Sequence, residues 1–180
     1  IAAGNYTLNM YFSQLPSVAS IAFDAASEGN TGSTEVGSLT VSHTVVSNTN
    51  GILVVGVNMF STTDPFPTVS TITYAGQSMT FLARAATPAA PSTRIGSEWW
   101  YIKAPATGAN NIVITFSADA KAVAGGRSYT GVDQTTQVGT AATATGSSTT
   151  PSVAVSSATN ELVVDTVGIR QNENTPADQT

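Results

Sequence analysis

The stretch that decides the fold is Leu39–Val45, which reads Leu-Thr-Val-Ser-His-Thr-Val. Apolar side chains and one histidine occupy the odd-numbered positions, and hydroxyl side chains occupy the even-numbered ones. Because successive side chains of a strand point to opposite faces of the sheet, this alternation predicts a half-buried β-strand.

Strand patterns recur along most of the chain. Ile52–Val57 is a continuous apolar run rich in branched residues, which is typical of a strand covered on both faces. Helix signals are weak, since the Ala-rich stretch Ala83–Ala90 contains Pro88. The sequence therefore predicts an all-β fold, an antiparallel β-sandwich that is Ig-like or jelly-roll-like. Further strands are predicted at Val69–Tyr74, Ser78–Leu82, Ile95–Lys103, Asn111–Phe116, Lys121–Thr130, Ser152–Val155 and Glu161–Ile169.

Each end of the chain carries a strand pattern that looks like part of a larger module. At the amino end, large apolar side chains alternate at Tyr6, Leu8, Met10 and Phe12, and Pro16 closes the run. We predict that residues 1–16 form an extra strand, which either ends a preceding module or is donated to another subunit. We predict that residues 17–180 form the sandwich module, truncated at its carboxyl end, because a sheet that ends with Glu161–Ile169 leaves the next strand position open.

The composition excludes several classes of protein. The chain has 180 residues, no cysteine and a net charge of −5, and 9% of its residues are charged against the ~25% usual for soluble domains. Its polar surface comes instead from 28 Thr and 20 Ser. Without cysteine there are no disulfides, zinc-thiolate sites or thiol nucleophiles. The scattered cations argue against nucleic acid as a partner, and the longest apolar run is too short for membrane insertion as a helix.

Several runs of sequence resemble a module that occurs in tandem in large bacterial, archaeal and phage surface proteins. The resemblance spans about Ser20 to Ile169. It implies an Ig-like or jelly-roll β-sandwich that serves as a structural or adhesive unit, carries no catalytic residues and is followed by further strands. The runs that carry it are Ser20–Ser27, Ser42–Val45, Leu53–Val57, Ile72–Thr80, Trp100–Pro105, Tyr129–Thr136 and Leu162–Asp165.

Catalytic and metal-binding patterns are sparse. His43 is the only candidate base, and its place on an apolar strand face predicts an inward-pointing ring bonded to a backbone group. A hydrolase using His43 and Asp133 is an alternative, although no Gly-x-Ser-x-Gly motif accompanies them. Calcium could bind loop carboxylates around Asp24 and Glu28, or around Asp133, but the EF-hand pattern is absent. We therefore expect no catalytic residues and no cofactor or metal, with calcium as the alternative.

The aromatic cluster at residues 99–101 offers the candidate ligand site. On a strand, Trp99 and Tyr101 face one way and Trp100 faces the other, so one set of rings can fill the core while the other stands at the surface. An exposed planar ring suits stacking on sugars. In the competing interpretation, one Trp fills the sandwich interior and the other lies under a loop or a neighbouring module.

Two functions from different classes follow. The first is a non-enzymatic structural or adhesive module of an extracellular filament, cell-surface stalk or virion fibre, assembling through β-strand contacts with copies of itself or with neighbouring modules. In its sharper form, the strand that carries Tyr6, Leu8, Met10 and Phe12 inserts into an open sheet edge. The second is a carbohydrate-binding β-sandwich that holds glycans through Trp99 and Tyr101. Both place the protein outside the cell or on a cell or virion surface.

Overall fold

A computed structural model describes residues 20–87, 94–145 and 152–168. These residues form eight β-strands, and no helix occurs among them. The prediction of an all-β antiparallel fold is therefore confirmed. The strands are β1 (Ala22–Asn30), β2 (Val36–Val45), β3 (Ile52–Ser61), β4 (Val69–Tyr74), β5 (Gln77–Ser78), β6 (Thr80–Ala86), β7 (Arg94–Lys103) and β8 (Gly108–Thr130).

The 23-residue strand β8 organises the sheet. Its amino-terminal half pairs with β2 and β4, and β4 pairs with β5. Its carboxyl-terminal half pairs with β1 and β3, and the order continues through β7 to β6. We call the set β1, β3, β6 and β7 with the second part of β8 half A, and the set β2, β4 and β5 with the first part half B. Since β5 and β6 are separated by one residue, the two halves meet again there, and the sheet is nearly closed and barrel-like.

The main apolar core draws side chains from both halves. Leu53, Val55 and Val57 of β3 contribute from half A, and Ile72 and Ile114 contribute from half B. We call the face of half A that bears Val55 its inner face. On the outer face, Ile52 and Val54 form a smaller cluster with Val132, against which Trp99, Tyr101 and Tyr129 pack. Strand β3 is thus covered on both faces, as its unbroken apolar sequence predicted.

Strand β8 joins two segments that the sequence analysis separated. Asn111–Phe116 and Lys121–Thr130 belong to one strand, Gly108–Thr130, and its partner β2 shifts register between Val36 and Ser38, which face Ala120 and Thr115. Such a shift increases the local twist and bend, and it lies where β8 passes from half B to half A. Strand β1 was not among the predicted strands, although the run Ser20–Ser27 that carries the resemblance covers its start.

Two predicted strands are wrong within the described residues. The segments Ser152–Val155 and 161–168 of Glu161–Ile169 have no strand pairing there. A strand pattern needs a sheet edge in register, and these side chains instead stay partly in solvent. We call residues 161–168 the strap. The predicted strand at Tyr6, Leu8, Met10 and Phe12 lies outside the described residues.

Candidate functional site

The two tryptophans point to opposite faces of half A. Trp100 lies on the inner face with 9% of its surface exposed, and its indole Nε1 donates to Glu98 Oε2 at 3.1 Å. Trp99 and Tyr101 lie on the outer face, packed against the smaller cluster. The alternation predicted this split. Trp100 is the ring that fills the core, and Trp99 lies beside the strap.

Trp99, Gly56 and Gly125 form one row across β7, β3 and β8. Gly56 pairs with Trp99 on one side and with Gly125 on the other. A β-carbon placed on Gly56 would lie 3.1 Å from Cη2 and 3.2 Å from Cζ3 of Trp99. The six-membered ring of the indole therefore covers Gly56 so closely that a side chain there would push the ring aside by a few tenths of an ångström.

The same row borders a groove of about 300 Å³ on the outer face of half A. Gly56, Trp99, Gly125, Arg127 and Tyr129 line it from the strands. The strap lines the opposite side with Val163, Val164, Asp165 and Thr166. One hydrogen bond that holds the strap to the sheet runs from Asn58 Nδ2 to Thr166 Oγ1 at 2.9 Å.

The groove combines an aromatic ring with several kinds of polar group. Arg127 Nη1 donates to the carbonyls of Ser27 and Gly126 at 3.1 and 2.9 Å, which fixes the guanidinium at the floor. Burial raises the pKa of Tyr129 from its ordinary value of 10.0, partly opposed by Arg127, so the phenol is protonated well beyond neutral pH. Asp165 adds acceptor oxygens and Thr166 adds a hydroxyl. The groove thus offers an aromatic group, donors and acceptors, the mixture typical of small-molecule sites.

Of the two predicted ligand-binding residues, only Trp99 borders this groove. Tyr101 packs in the smaller cluster with Ile52, Val54 and Val132, on the same face as Trp99. Gly56, Gly125 and Arg127 were missed as site residues. Two glycines inside strands were the available signal, but their meeting across β3 and β8 depends on strand register, which the sequence does not display.

Adjacent glycines within a strand, such as Gly125 and Gly126 of β8, can mark a bulge or a close approach of another part of the fold. The register of β8 with β1 and with β3 continues through both residues, so no bulge lies there. A close approach exists at Gly126 alone, where an added β-carbon would lie 2.7 Å from Ile112 Cδ1. An added β-carbon at Gly125 would meet no atom closer than Arg127 Nη1 at 3.7 Å, an ordinary contact.

His43 lies between the halves in a buried polar chain. Its side chain points inward as predicted, and 1% of its surface is exposed. The predicted backbone partner is wrong, because Nδ1 lies 2.9 Å from Ser27 Oγ and Nε2 lies 3.1 Å from Ser128 Oγ. The lack of a side chain at Gly126 makes room for this arrangement, since a β-carbon there would lie 3.1 Å from Ser27 Oγ.

The direction of this chain follows from its end at Asp24. Ser128 Oγ donates to Asp24 Oδ2 at 2.7 Å, so it accepts from His43 Nε2–H, and Nδ1 accepts from Ser27. Burial lowers the pKa of His43, partly opposed by Asp24, and Arg127 lowers it further. The imidazole is therefore neutral, and both ring nitrogens are bonded to serine hydroxyls.

The carboxylates considered for calcium bind backbone groups instead. Asp24 accepts from the amides of Val46 and Ser47 at 3.1 and 3.0 Å. Asp133 Oδ1 accepts from the amides of Thr135 and Thr136, and these bonds lower the pKa of its carboxyl group. Within the ranges that the structure describes, no group of three or more His, Cys, Asp or Glu residues could hold a metal ion.

Comparison with known protein families, with curated proteins and with solved structures finds no match. In the described part of the chain, no helix is long and apolar enough to cross a membrane. The geometry of the fold, of the groove and of the strap therefore carries the functional argument.

Proposed function

We propose that this chain is a non-enzymatic structural and adhesive module of an extracellular assembly, such as a filament, a cell-surface stalk or a virion fibre. In this proposal the modules assemble through β-strand contacts with copies of the same chain. The strap carries the proposal, because its sequence favours a strand that it does not form within the described residues.

The strap has the side chains of a strand without the partners of one. Leu162, Val163, Val164 and Val167 leave 38 to 50% of their surface exposed. Branched apolar residues of this kind favour a pleated, half-buried surface. Pairing the strap with a sheet edge would bury these side chains and give its amide and carbonyl groups hydrogen-bond partners, which is how strand addition generates affinity.

The sheet also offers edges for such a strand. Among the described residues, β1 and β2 each pair only with β8, so their outer edges have no strand partner in that part of the chain. Phe23 of β1 is 62% exposed. An edge that combines free backbone groups with exposed apolar side chains is a template for another chain.

The buried state of His43 supports a non-enzymatic function. A general base must reach the proton that it removes, and this imidazole is enclosed with both nitrogens bonded. The other nominated residue, Asp133, uses its carboxylate to hold a turn. Both geometries suit stabilisation of a scaffold better than catalysis.

We interpret the two halves as the layers of an Ig-like or jelly-roll-like β-sandwich. This interpretation is supported by the main core, which receives apolar side chains from half A and from half B. It is also supported by β8, which changes partners at a register shift, as strands that switch sheets at sandwich corners do. The resemblance to tandem surface modules stays a prediction, and so do the extracellular location and the N-terminal strand.

The proposal is tested by placing charges on the strap. In Leu162→Lys/Val167→Lys, like charges oppose strand addition at two positions that do not line the groove. The matched control is Val46→Lys, which charges an apolar residue that is 71% exposed beyond the end of β2. Light scattering during gel filtration should show oligomers for the wild type and the control, and monomers for the double variant. A monomeric wild type, or an oligomeric double variant, contradicts the proposal.

A second candidate function, carbohydrate binding, is favoured by one observation. Trp99 borders a groove that also carries Arg127 and Asp165. Tyr101, the other predicted contact, does not border that groove and is better interpreted as a packing residue.

A further inference from the structure

We infer that the groove between the strap and half A is a binding site for one ring of a neutral saccharide, and that Gly125 keeps the site open. This inference rests on the adhesive part of the proposed function, for which it supplies the class of ligand. It shares the strap with the assembly proposal, but the floor of the groove is the outer face of half A and not a sheet edge.

The first argument is that packing does not require a glycine at position 125. Glycine within a strand lowers stability relative to alanine, because it loses more conformational freedom on folding. Its neighbour Gly126 has a packing reason, since an added β-carbon would approach Ile112 Cδ1 to 2.7 Å. Gly125 has none, since the nearest atoms to an added β-carbon would be at 3.7 and 3.8 Å. A side chain at position 125 would instead extend into the groove, which Gly125 lines.

The second argument is that the indole ring of Trp99 is held in a fixed position. Its six-membered ring covers Gly56, where an added β-carbon would touch three ring atoms at 3.1 to 3.4 Å. A ring fixed in this way has little freedom to lose on binding, which lowers the entropic cost of recognition. The apolar face of a sugar ring can pack on such an indole, while the hydroxyls at the edge of the sugar require hydrogen-bonding partners.

The polar groups around Trp99 meet that requirement. Arg127 supplies guanidinium donors that its bonds to two carbonyls hold in place, and Asp165 supplies carboxylate acceptors on the strap side. Tyr129 and Thr166 add hydroxyls that can donate or accept. A sugar ring is a ligand that uses an aromatic face, donors and acceptors at once.

The charges at the groove favour a neutral sugar over an acidic one. Arg127 contributes one positive charge and Asp165 one negative charge. Glu28 is the cross-strand partner of Gly125 on β1, and its exposed carboxylate adds a second negative charge beside the floor. The net charge is thus negative, and it disfavours carboxylate-bearing sugars such as uronic acids.

The test is an NMR titration of the whole chain that follows the two indole N–H signals. The probes are methyl glycosides of glucose, galactose, mannose and N-acetylglucosamine, their β-linked and α-linked disaccharides, and glucuronic acid, each up to about 10 mM. We expect at least one neutral sugar to shift the Trp99 signal saturably. The buried Trp100 signal serves as the internal control and should not move.

Substitutions then locate the site. Gly125→Val should fill the groove and abolish the Trp99 shift while the unfolding midpoint stays at or above that of the wild type, because valine favours strands. Val123→Thr is the matched control two residues away on the same face of β8, and it should bind as the wild type does. Asp165→Ala should weaken binding about tenfold through loss of one charged hydrogen bond.

Three results would overturn the inference. They are no shift of the Trp99 signal with any neutral sugar, a shift that persists in a folded Gly125→Val variant, and a response to glucuronic acid alone. Because the strap also lines the groove, the titration is repeated on the Leu162→Lys/Val167→Lys variant, which is expected to be monomeric and which leaves the groove-lining residues unchanged. Failure of this inference is therefore distinguishable from failure of the assembly proposal, which the strap variants test.

Discussion

The indole of Trp99 lies over Gly56, its cross-strand neighbour, so closely that a β-carbon at position 56 would lie 3.1 Å from the ring. One glycine thus determines how an aromatic side chain lies on the outer face of half A. Gly125, directly opposite Gly56 on β8, has room for a β-carbon. The two glycines are neighbours with different structural roles.

Alanine substitutions should separate these roles. Gly56→Ala should lower the free energy of unfolding by about 1–3 kcal/mol, because the new methyl group displaces the ring. Gly125→Ala should leave stability unchanged or raise it by up to about 1 kcal/mol. Urea denaturation measures both changes. Equal losses in the two variants would show that the ring does not depend on Gly56.

The buried imidazole of His43 should make stability depend on pH. Burial lowers its pKa in the folded state from the ordinary value of 6.5. As pH falls below about 6.5, the unfolded chain takes up a proton that the folded chain resists, so stability decreases until the folded pKa is passed. The slope from this group can reach about 1.4 kcal/mol per pH unit.

The pH effect is isolated by His43→Gln. Unfolding of the wild type and the variant should be compared between pH 8 and pH 5, with the expectation that the variant loses the slope below about 6.5. Asp133 affects stability in a lower pH range. Because its pKa is lowered in the folded state, its contribution to stability is present above the ordinary pKa of 3.8 and is lost as the pH falls further. Identical slopes in the two proteins would refute the assignment to His43.

Glu98 should be the most sensitive carboxylate of the core. It is 2% exposed, and it accepts from the Val69 amide and the Trp100 indole, each at 3.1 Å. Its Oε1 also lies 3.8 Å from Arg84 Nη1. Glu98→Leu leaves these groups without their partner and should cost about 3 kcal/mol or more.

The conservative variant tests that explanation. Glu98→Gln keeps an acceptor oxygen, so it should cost clearly less, about 1–2 kcal/mol. Thermal and urea unfolding of both variants provide the comparison. If leucine and glutamine cost the same, loss of the hydrogen-bond partner is not the cause.

The sequence predicted the local structure better than the connections. Val69–Tyr74 was predicted with the bounds that the structure gives, and the alternation in Leu39–Val45 correctly placed His43 on the inner face. These features depend on the period of side chains along one strand. The continuity of β8 was missed because Ser117 and Asp119, between Phe116 and Lys121, are residue types that favour turns and so suggest a break.

The site was less predictable, because it depends on contacts between strands. Alternation put Trp99 and Trp100 on opposite faces, but the row of Trp99, Gly56 and Gly125 is set by register across three strands. At the strap, by contrast, the sequence predicted a strand that the structure does not contain among the residues it describes. Its apolar pattern predicted a strand, but a strand also needs an edge to pair with, and none of the described edges is paired with it.

Deletion of residues 1–15 tests the donated-strand form of the assembly proposal. If Tyr6, Leu8, Met10 and Phe12 insert into an open edge, the shortened chain should lose its oligomers, because the ladder and its side-chain anchors are removed. Gel filtration with light scattering gives the comparison. Oligomers that form normally without these residues would leave the strap as the assembly element and end the N-terminal hypothesis.

Imaging of the wild-type protein by electron cryo-microscopy tests the central claim most directly. The proposal expects repeating contacts in which residues 161–168 of one copy form a strand against a sheet edge of the next copy. Dispersed single copies, or a polymer whose contacts leave both the strap and the sheet edges free, would contradict it.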